Sequence, residues 1–169
     1  TLSNRISLNF ATGLYRQTPS LFALSLTPNN RNLKSQKAFH IVGGIEWLAA
    51  EDMRIRAEVF SKKYDDLVIQ PVLGNFNYTN NGSGEANGVE IAMQKALSGR
   101  WAGQISYSFI NSKRRLTDGS FAFPSDEERQ HQFTGIGITK IWYGITVAAK
   151  YRYATGLPYD LRTPVRIST

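Results

Sequence analysis

From Phe39 to Tyr64 the chain alternates apolar and polar positions on either side of a short break. Phe39, Ile41, Gly43, Ile45 and Trp47 fall on one side; His40, Val42, Gly44 and Glu46 fall on the other. After Leu48–Asp52 the alternation resumes. Met53, Ile55, Ala57 and Val59 share a face, and Arg54, Arg56, Glu58 and Lys62 take the opposite one. Successive strand side chains point to opposite faces, so this pattern predicts an antiparallel hairpin with one apolar and one charged wall. What covers the apolar wall, a protein core or lipid, decides what the molecule is.

Further runs of the same period follow the chain. Ile6–Phe10 alternates and can extend to Tyr15, before a long connection from Arg16 to Lys37 that holds Pro19, Pro28 and an Asn-rich cluster. Leu67–Val72 is a weaker run, and Asn75–Gly84 reads as a second long loop. Gly88–Gln94 and Trp101–Asn111 are strands separated by the turn Leu97–Arg100. Lys113-Arg114-Arg115, Asp118-Gly119 and Pro124–Glu128 read as a third long loop. Gln130–Ile141 is strand-like with ambiguous faces, because Phe133 and Ile141 sit on odd positions and Ile136 and Ile138 on even ones. After Trp142–Gly144 the last strand runs from Ile145 to Tyr153; Tyr159–Thr169 has no firm assignment.

The sequence therefore predicts an all-β antiparallel meander of about seven strands, with short turns at one end and long loops at the other. That asymmetry, with strands near the ~9–11 residues of a tilted membrane strand, fits a transmembrane barrel. Trp47, Trp101 and Trp142 lie beside the short turns. Tyr64, Tyr107, Phe109, Tyr151 and Tyr153 lie toward the long loops. Rings with a polar tip favour the headgroup level, so Trp47, Trp101, Trp142, Tyr107, Tyr151 and Tyr153 are expected in two aromatic girdles.

Composition narrows the choices. The 169 residues contain no cysteine, which removes disulfides and thiolate metal sites. His40 and His131 have no metal-ligand spacing, no catalytic constellation can be assembled, and no metal or other cofactor is expected. A net charge of +7 fits plain solubility or an anionic partner, either nucleic acid or the negatively charged surface of a membrane. Lys113-Arg114-Arg115 with Tyr107 and Phe109 could mark nucleic acid, but those rings share the face of Ile105 and not of the charges, so nucleic acid is not expected. The charges offer a stronger test: Arg54 and Arg56 facing lipid at mid-depth would cost ~2–4 kcal/mol each, whereas a watered wall holds them cheaply. Glu46, Glu58 and Glu90 can neutralise them across strands.

Several phrases resemble the barrel of TonB-dependent outer-membrane receptors. Asn32-Leu-Lys-Ser-Gln-Lys37 with His40-Ile-Val-Gly-Gly-Ile-Glu46 is similar to the family's NLKPE…YELGxE phrase. Ala57–Leu67 resembles a FYxKxYxDLI strand end, and Asn81–Glu90 an NxGxAxxxGVE phrase. Asp126–His131 resembles DxxxRHxxN, although Gln130 separates the usual Arg-His pair. Tyr151–Tyr159 resembles xRYxSGxPYT.

The resemblance implies a bacterial outer-membrane transporter of 22 strands with a plugged lumen. Residues 1–169 would be a partial barrel domain, without the family's plug or terminal strands. It implies ligand-gated, TonB-dependent uptake of a scarce nutrient, with this chain supplying barrel wall and extracellular loops and no enzymatic activity. The expected partners are outer-membrane lipid and lipopolysaccharide, the rest of the barrel and its plug, the TonB complex through an N-terminal region, and other outer-membrane proteins. His40, Glu46, Arg54, Arg56, Glu58, Glu90, Lys150 and Arg152 become candidate lumen residues touching plug or substrate. Two other classes compete: a non-transporting structural or assembly barrel in an outer-membrane complex, and a soluble β-sandwich binding module.

Overall fold

The computed structural model describes residues 4–70, 76–116, 123–124 and 129–157. Its strands are β1 (Ile6–Gln17), β2 (Gln36–Ala50), β3 (Met53–Ile69), β4 (Thr79–Ser98), β5 (Trp101–Arg115), β6 (Phe123–Pro124), β7 (His131–Lys140) and β8 (Thr146–Ala154). They form one antiparallel sheet in the order β1-β2-β3-β4-β5-β7-β8, with the two-residue β6 attached only to β5. Among the described residues β1 and β8 do not pair, so the sheet is open.

Register divides the sheet into two faces. On one, Leu8 pairs with Ile45, Ile45 with Ala57, Ala57 with Ile91, Ile91 with Tyr107, Tyr107 with Phe133 and Phe133 with Tyr153. Nothing within the described chain covers this apolar wall: Phe10 is 74% exposed and Val59 57%. The buried apolar residues among those described are small: Ala23, Ala86 and Pro19. A single layer with one continuous apolar wall has no core of its own and requires an apolar medium or a second layer against it.

The three short turns give the strand slope. The row through Trp47 and Ile55 lies about four residues from the first turn, that through Met93 and Ile105 about six from the second, and that through Gly135 and Tyr151 about eight from the third. Each hairpin thus steps two residues, ~6.8 Å, across two strand spacings, ~9.6 Å. With the turns on one level the strands tilt by about 35°, within the range of membrane barrels.

Several boundaries differ from the sequence expectation. β1 continues to Gln17, and β3 carries the expected weak run as far as Ile69 through register shifts near Leu67, the rest of that run beyond Gln70 lying outside the described residues. Thr79–Gly84 belong to β4 and Lys113–Arg115 to β5, where both were expected as loop. Cross-strand pairing overrides local turn chemistry here: Ser83 opposes Arg115 and Gly84 opposes Arg114. The expected turn Asp118-Gly119, residues 125–128 and the tail 158–169 lie outside the described residues.

The connection after β1 is also more ordered than its Pro and Asn content predicts. It contains α1 (Leu21–Leu26), whose Ser20 cap accepts from the Ala23 amide, and a 3-10 turn over Pro28–Asn32. Asn30 is wholly buried. Its Nδ2 donates to the Ala23 and Phe76 carbonyls at 2.7 and 2.9 Å, and its Oδ1 accepts from the Tyr78 amide at 2.9 Å. Asn80 adds a second link, accepting from the Lys34 amide and donating to the Lys34 and Asp66 carbonyls. These asparagines hold the first long connection against the chain entering β4.

Candidate functional site: the polar wall

All eight charged or imidazole candidates lie on the face opposite the apolar wall. Alternation puts His40 and Glu46 of β2, Arg54, Arg56 and Glu58 of β3, Glu90 of β4, and Lys150 and Arg152 of β8 on this side. β7 is now assigned: Gln132, Thr134, Ile136 and Ile138 join the polar wall, while Phe133, Gly135, Gly137 and Thr139 join the apolar one. The doubt came from isoleucines on the polar side and glycines on the apolar side. Pairing with Tyr107 and Tyr153 settles Phe133 on the apolar face.

The structure brings five candidates together. Glu46 opposes Arg56 across β2–β3, and its Oε1 lies 3.5 Å from Arg54 Nε. Arg56 Nε lies 3.9 Å from Glu58 Oε1. Both arginine side chains are about half exposed, so each pair alone contributes little stability, on the order of 0–1 kcal/mol. Glu90 does not neutralise a cation as expected; it stands directly opposite Glu58. Like charges at this spacing repel; Arg56 beside Glu58 offsets part of this, and water or a cationic partner over the wall offsets the rest.

The remaining candidates lie elsewhere. Lys150 and Arg152 are separated from Glu90 by β5 and β7, and Arg152 Nη2 donates to Gln132 Oε1 at 3.4 Å. His40 sits toward the long-loop end, opposite Lys62. Between it and the lower charges runs an apolar row: Ala11, Val42, Phe60, Gly88 and Ile110. The tip of the Phe60 ring reaches Gly88, where a Cβ would come within 2.5 Å of the ring and 2.6 Å of the Phe109 carbonyl oxygen. Glycine is required there by close approach.

Above this row a groove of about 530 Å³ opens on the same face. Tyr15, His40 and Tyr64 form its ring-bearing walls, with Tyr15 and His40 centroids 4.5 Å apart and His40 and Tyr64 6.2 Å apart. Ser112 and Arg114 close its far side. Of these only His40 was a candidate from sequence. Continuing the period-2 pattern of β1 past Tyr15 and of β5 through Arg115 would have placed the others on this face.

The expected aromatic girdles divide by position. Trp47, Trp101, Tyr107, Tyr151 and Tyr153 are on the apolar face, the tryptophans nearer the short turns than the tyrosines of β5 and β8. Trp142 is in the last turn, 80% exposed and stacked on Tyr143 at 5.1 Å. At the first turn Asp52 takes hydrogen bonds from Lys95 and Ser98, tying two hairpins together; the Lys95 bond holds its carboxyl below the usual range. Among the described residues no three His, Asp or Glu side chains cluster to hold a metal.

The family described as TonB dependent receptor-like, beta-barrel matches residues 3–166. No curated protein matches the sequence. Among solved structures, the ferric-catecholate import receptor Fiu from K12 E. coli, in its closed form, aligns with a TM-score of 0.72 at 22% identity, over 91% of this chain and 23% of that one. The FrpB iron transporter from Neisseria meningitidis (F3-3 variant) aligns with a TM-score of 0.70 at 13% identity, over 91% of this chain and 25% of that one. The chain thus spans about a quarter of the length of these structures, and at these identities the likeness is one of fold.

Proposed function

Since the chain belongs to the TonB-dependent receptor β-barrel family, whose members sit in the bacterial outer membrane, we propose that it forms one section of the wall of a larger closed barrel that takes up a scarce nutrient under TonB control. The observation that carries this reading is the pairing of one uncovered apolar wall with one charged wall on strands sloping about 35°. The apolar wall meets lipid and the charged wall meets a plugged, watered lumen. Strands from the rest of the barrel cover β1 and β8, because open edges in a membrane would leave backbone groups without partners. Glu46, Arg54, Arg56, Glu58 and Glu90 form the plug-facing belt, and the Glu58–Glu90 opposition, offset by Arg56 only on the Glu58 side, favours a cationic plug group above Glu90. The aromatic residues on the apolar face mark the membrane interfaces.

Uptake is tested by following the disappearance of compounds from a defined medium. Wild-type cells are compared with a strain lacking the full-length gene and a strain lacking TonB. The transport reading expects at least one compound to remain unconsumed in both mutants. Identical depletion by wild type and the gene-deletion strain, under conditions where the receptor is expressed, contradicts it.

A further inference from the structure

We propose that the outward face of β3, β4 and β5, just above the apolar wall, binds the phosphate group of an outer-leaflet glycolipid; this rests on the reading of that wall as the lipid face. Alternation puts Lys63, Glu85 and Lys113 in one cross-strand row on this side, with Ser83 and Arg115 in the row above. All five line a recess of about 100 Å³. That is small for a whole organic ligand and suits one group of a larger one.

The chemistry of this face changes with height as a leaflet does. The row Val59–Val89–Phe109 is apolar, the next row, Ser61–Asn87–Asn111, is polar and uncharged, and the row above it is charged. Lys113 stands twelve residues beyond Trp101 on β5. At a rise of ~3.4 Å per residue and a slope of about 35°, it lies about 33 Å above Trp101, roughly 8 Å past an apolar band of ~25 Å. Lipid headgroups occupy that level.

The cations there have no partner of their own. Lys63, Lys113 and Arg115 are exposed, and none forms an ion pair among the described residues. Glu85 offsets only one of the three. Asp65, the next outward residue above Lys63, stands opposite Lys37, whose Nζ lies 2.7 Å from Asp66. At the short-turn end the outward Lys95 is instead bonded to Asp52 and Ser98.

These features discriminate between headgroup classes. A neutral sugar would leave the cations uncompensated once water is displaced, and a zwitterionic headgroup would bring its own cation against the lysines. A phosphate accepts charge-assisted hydrogen bonds from Lys63, Lys113 and Arg115 and a further one from the Ser83 hydroxyl. Alternation sharpens the assignment: Lys113 and Arg115 face the leaflet, whereas Arg114 between them lies on the polar wall opposite Gly84. A basic loop would use all three alike.

The test uses full-length receptor in detergent micelles at low salt without divalent cations. It is titrated with diphosphoryl lipid A and with the same lipid stripped of its phosphates, and bound lipid is read by native mass spectrometry. The diphosphoryl lipid is expected to bind at least about tenfold more tightly. The double variant Lys113→Gln/Arg115→Gln should weaken it about tenfold or more, and Arg115→Gln alone about fivefold, each with the wild-type unfolding midpoint. Arg114→Gln should leave lipid binding unchanged. If the double variant does not fold, Arg115→Gln against Arg114→Gln decides. Equal binding of the two lipids, unchanged affinity in the folded charge variants, or an equal loss from Arg114→Gln overturns the proposal. Displacement of the lipid by inorganic phosphate at the lipid's own concentration overturns it too, because the recess would then take a free anion. Spin-label oxygen relaxation that finds the apolar wall outside lipid removes the underlying reading; a failed lipid titration with that wall in lipid removes this site alone.

Discussion

The β3–β4 pair and the β7–β8 pair belong to one sheet and follow different rules. β3 spans Met53–Ile69 and β4 Thr79–Ser98, and their faces are marked by residue type almost throughout: Ile55, Val59, Val89 and Ile91 on one, Arg54, Arg56, Glu58 and Glu90 on the other. β7 and β8 are shorter, His131–Lys140 and Thr146–Ala154. There β7 sends Ile136 and Ile138 to the polar wall and Gly135 and Gly137 to the apolar one. A strand therefore takes its orientation from its neighbours as well as from its own alternation. The row Tyr107–Phe133–Tyr153 fixes β7 where its aliphatic residues argue the other way, because a one-residue slip would reverse every side chain at once.

Identical chemical changes in the two regions should then have unequal results. The largest contrast is Val59→Arg against Ile138→Arg. Val59 is on the apolar wall, which the proposed function sets against lipid, so the variant should lose ~2–4 kcal/mol of folding stability in bilayers. Ile138, between Ala102 and Ala148 on the polar wall, should accept arginine at a cost below ~1 kcal/mol. Denaturant unfolding of the full-length receptor in liposomes measures both. Equal losses would break the assignment of β7.

A second contrast compares glycines. Gly88→Val drives side-chain atoms into Phe60 and the Phe109 carbonyl, and should cost ~1–3 kcal/mol by overpacking. Gly137→Val meets nothing within 4 Å and should stay within about 0.5 kcal/mol of wild type. The same unfolding midpoints measure it, and comparable losses would mean Gly137 is packed against a neighbour.

The smallest contrast is in acid. Asp52 ties the first and second short turns, whereas the last turn is Trp142-Tyr143-Gly144 and carries no carboxylate. With the Asp52 carboxyl lowered in the folded state, its contribution is complete above the ordinary value near ~4 and is lost as pH falls from there through the folded value. Amide exchange at Met53 and Ala96 should therefore quicken on acidification, and Asp52→Asn should abolish that dependence. Exchange at Ile145 should not respond through this route. Acid dependence unaltered by Asp52→Asn would assign it to another group.

Much of this arrangement is legible in the sequence because register enforces what alternation announces. The Phe39–Tyr64 hairpin, its two walls and its short turn follow from period 2 alone. What escapes is whatever depends on distant partners. Asn30 reads as one asparagine in a loop cluster, and only folding brings Phe76 and Tyr78 to its amide. Arg114 reads as loop charge until β5 is carried up beside Gly84. Glu90 reads as a neutralising partner, although its strand register sets it against Glu58. The groove escapes for the same reason: it draws Tyr15, His40, Tyr64 and Arg114 from four strands.

The central claim is that one wall of this sheet meets lipid and the other does not, in β7 as in β3. Nitroxide labels placed singly at Ile55, Arg56, Gly137 and Ile138 of the full-length receptor in bilayers test it directly, through relaxation by oxygen dissolved in the acyl region. The account expects strong oxygen relaxation at Ile55 and Gly137 and weak relaxation at Arg56 and Ile138. Strong relaxation at Arg56 with weak relaxation at Ile55 would contradict it throughout the sheet. The same reversal confined to Gly137 and Ile138 would contradict it for β7.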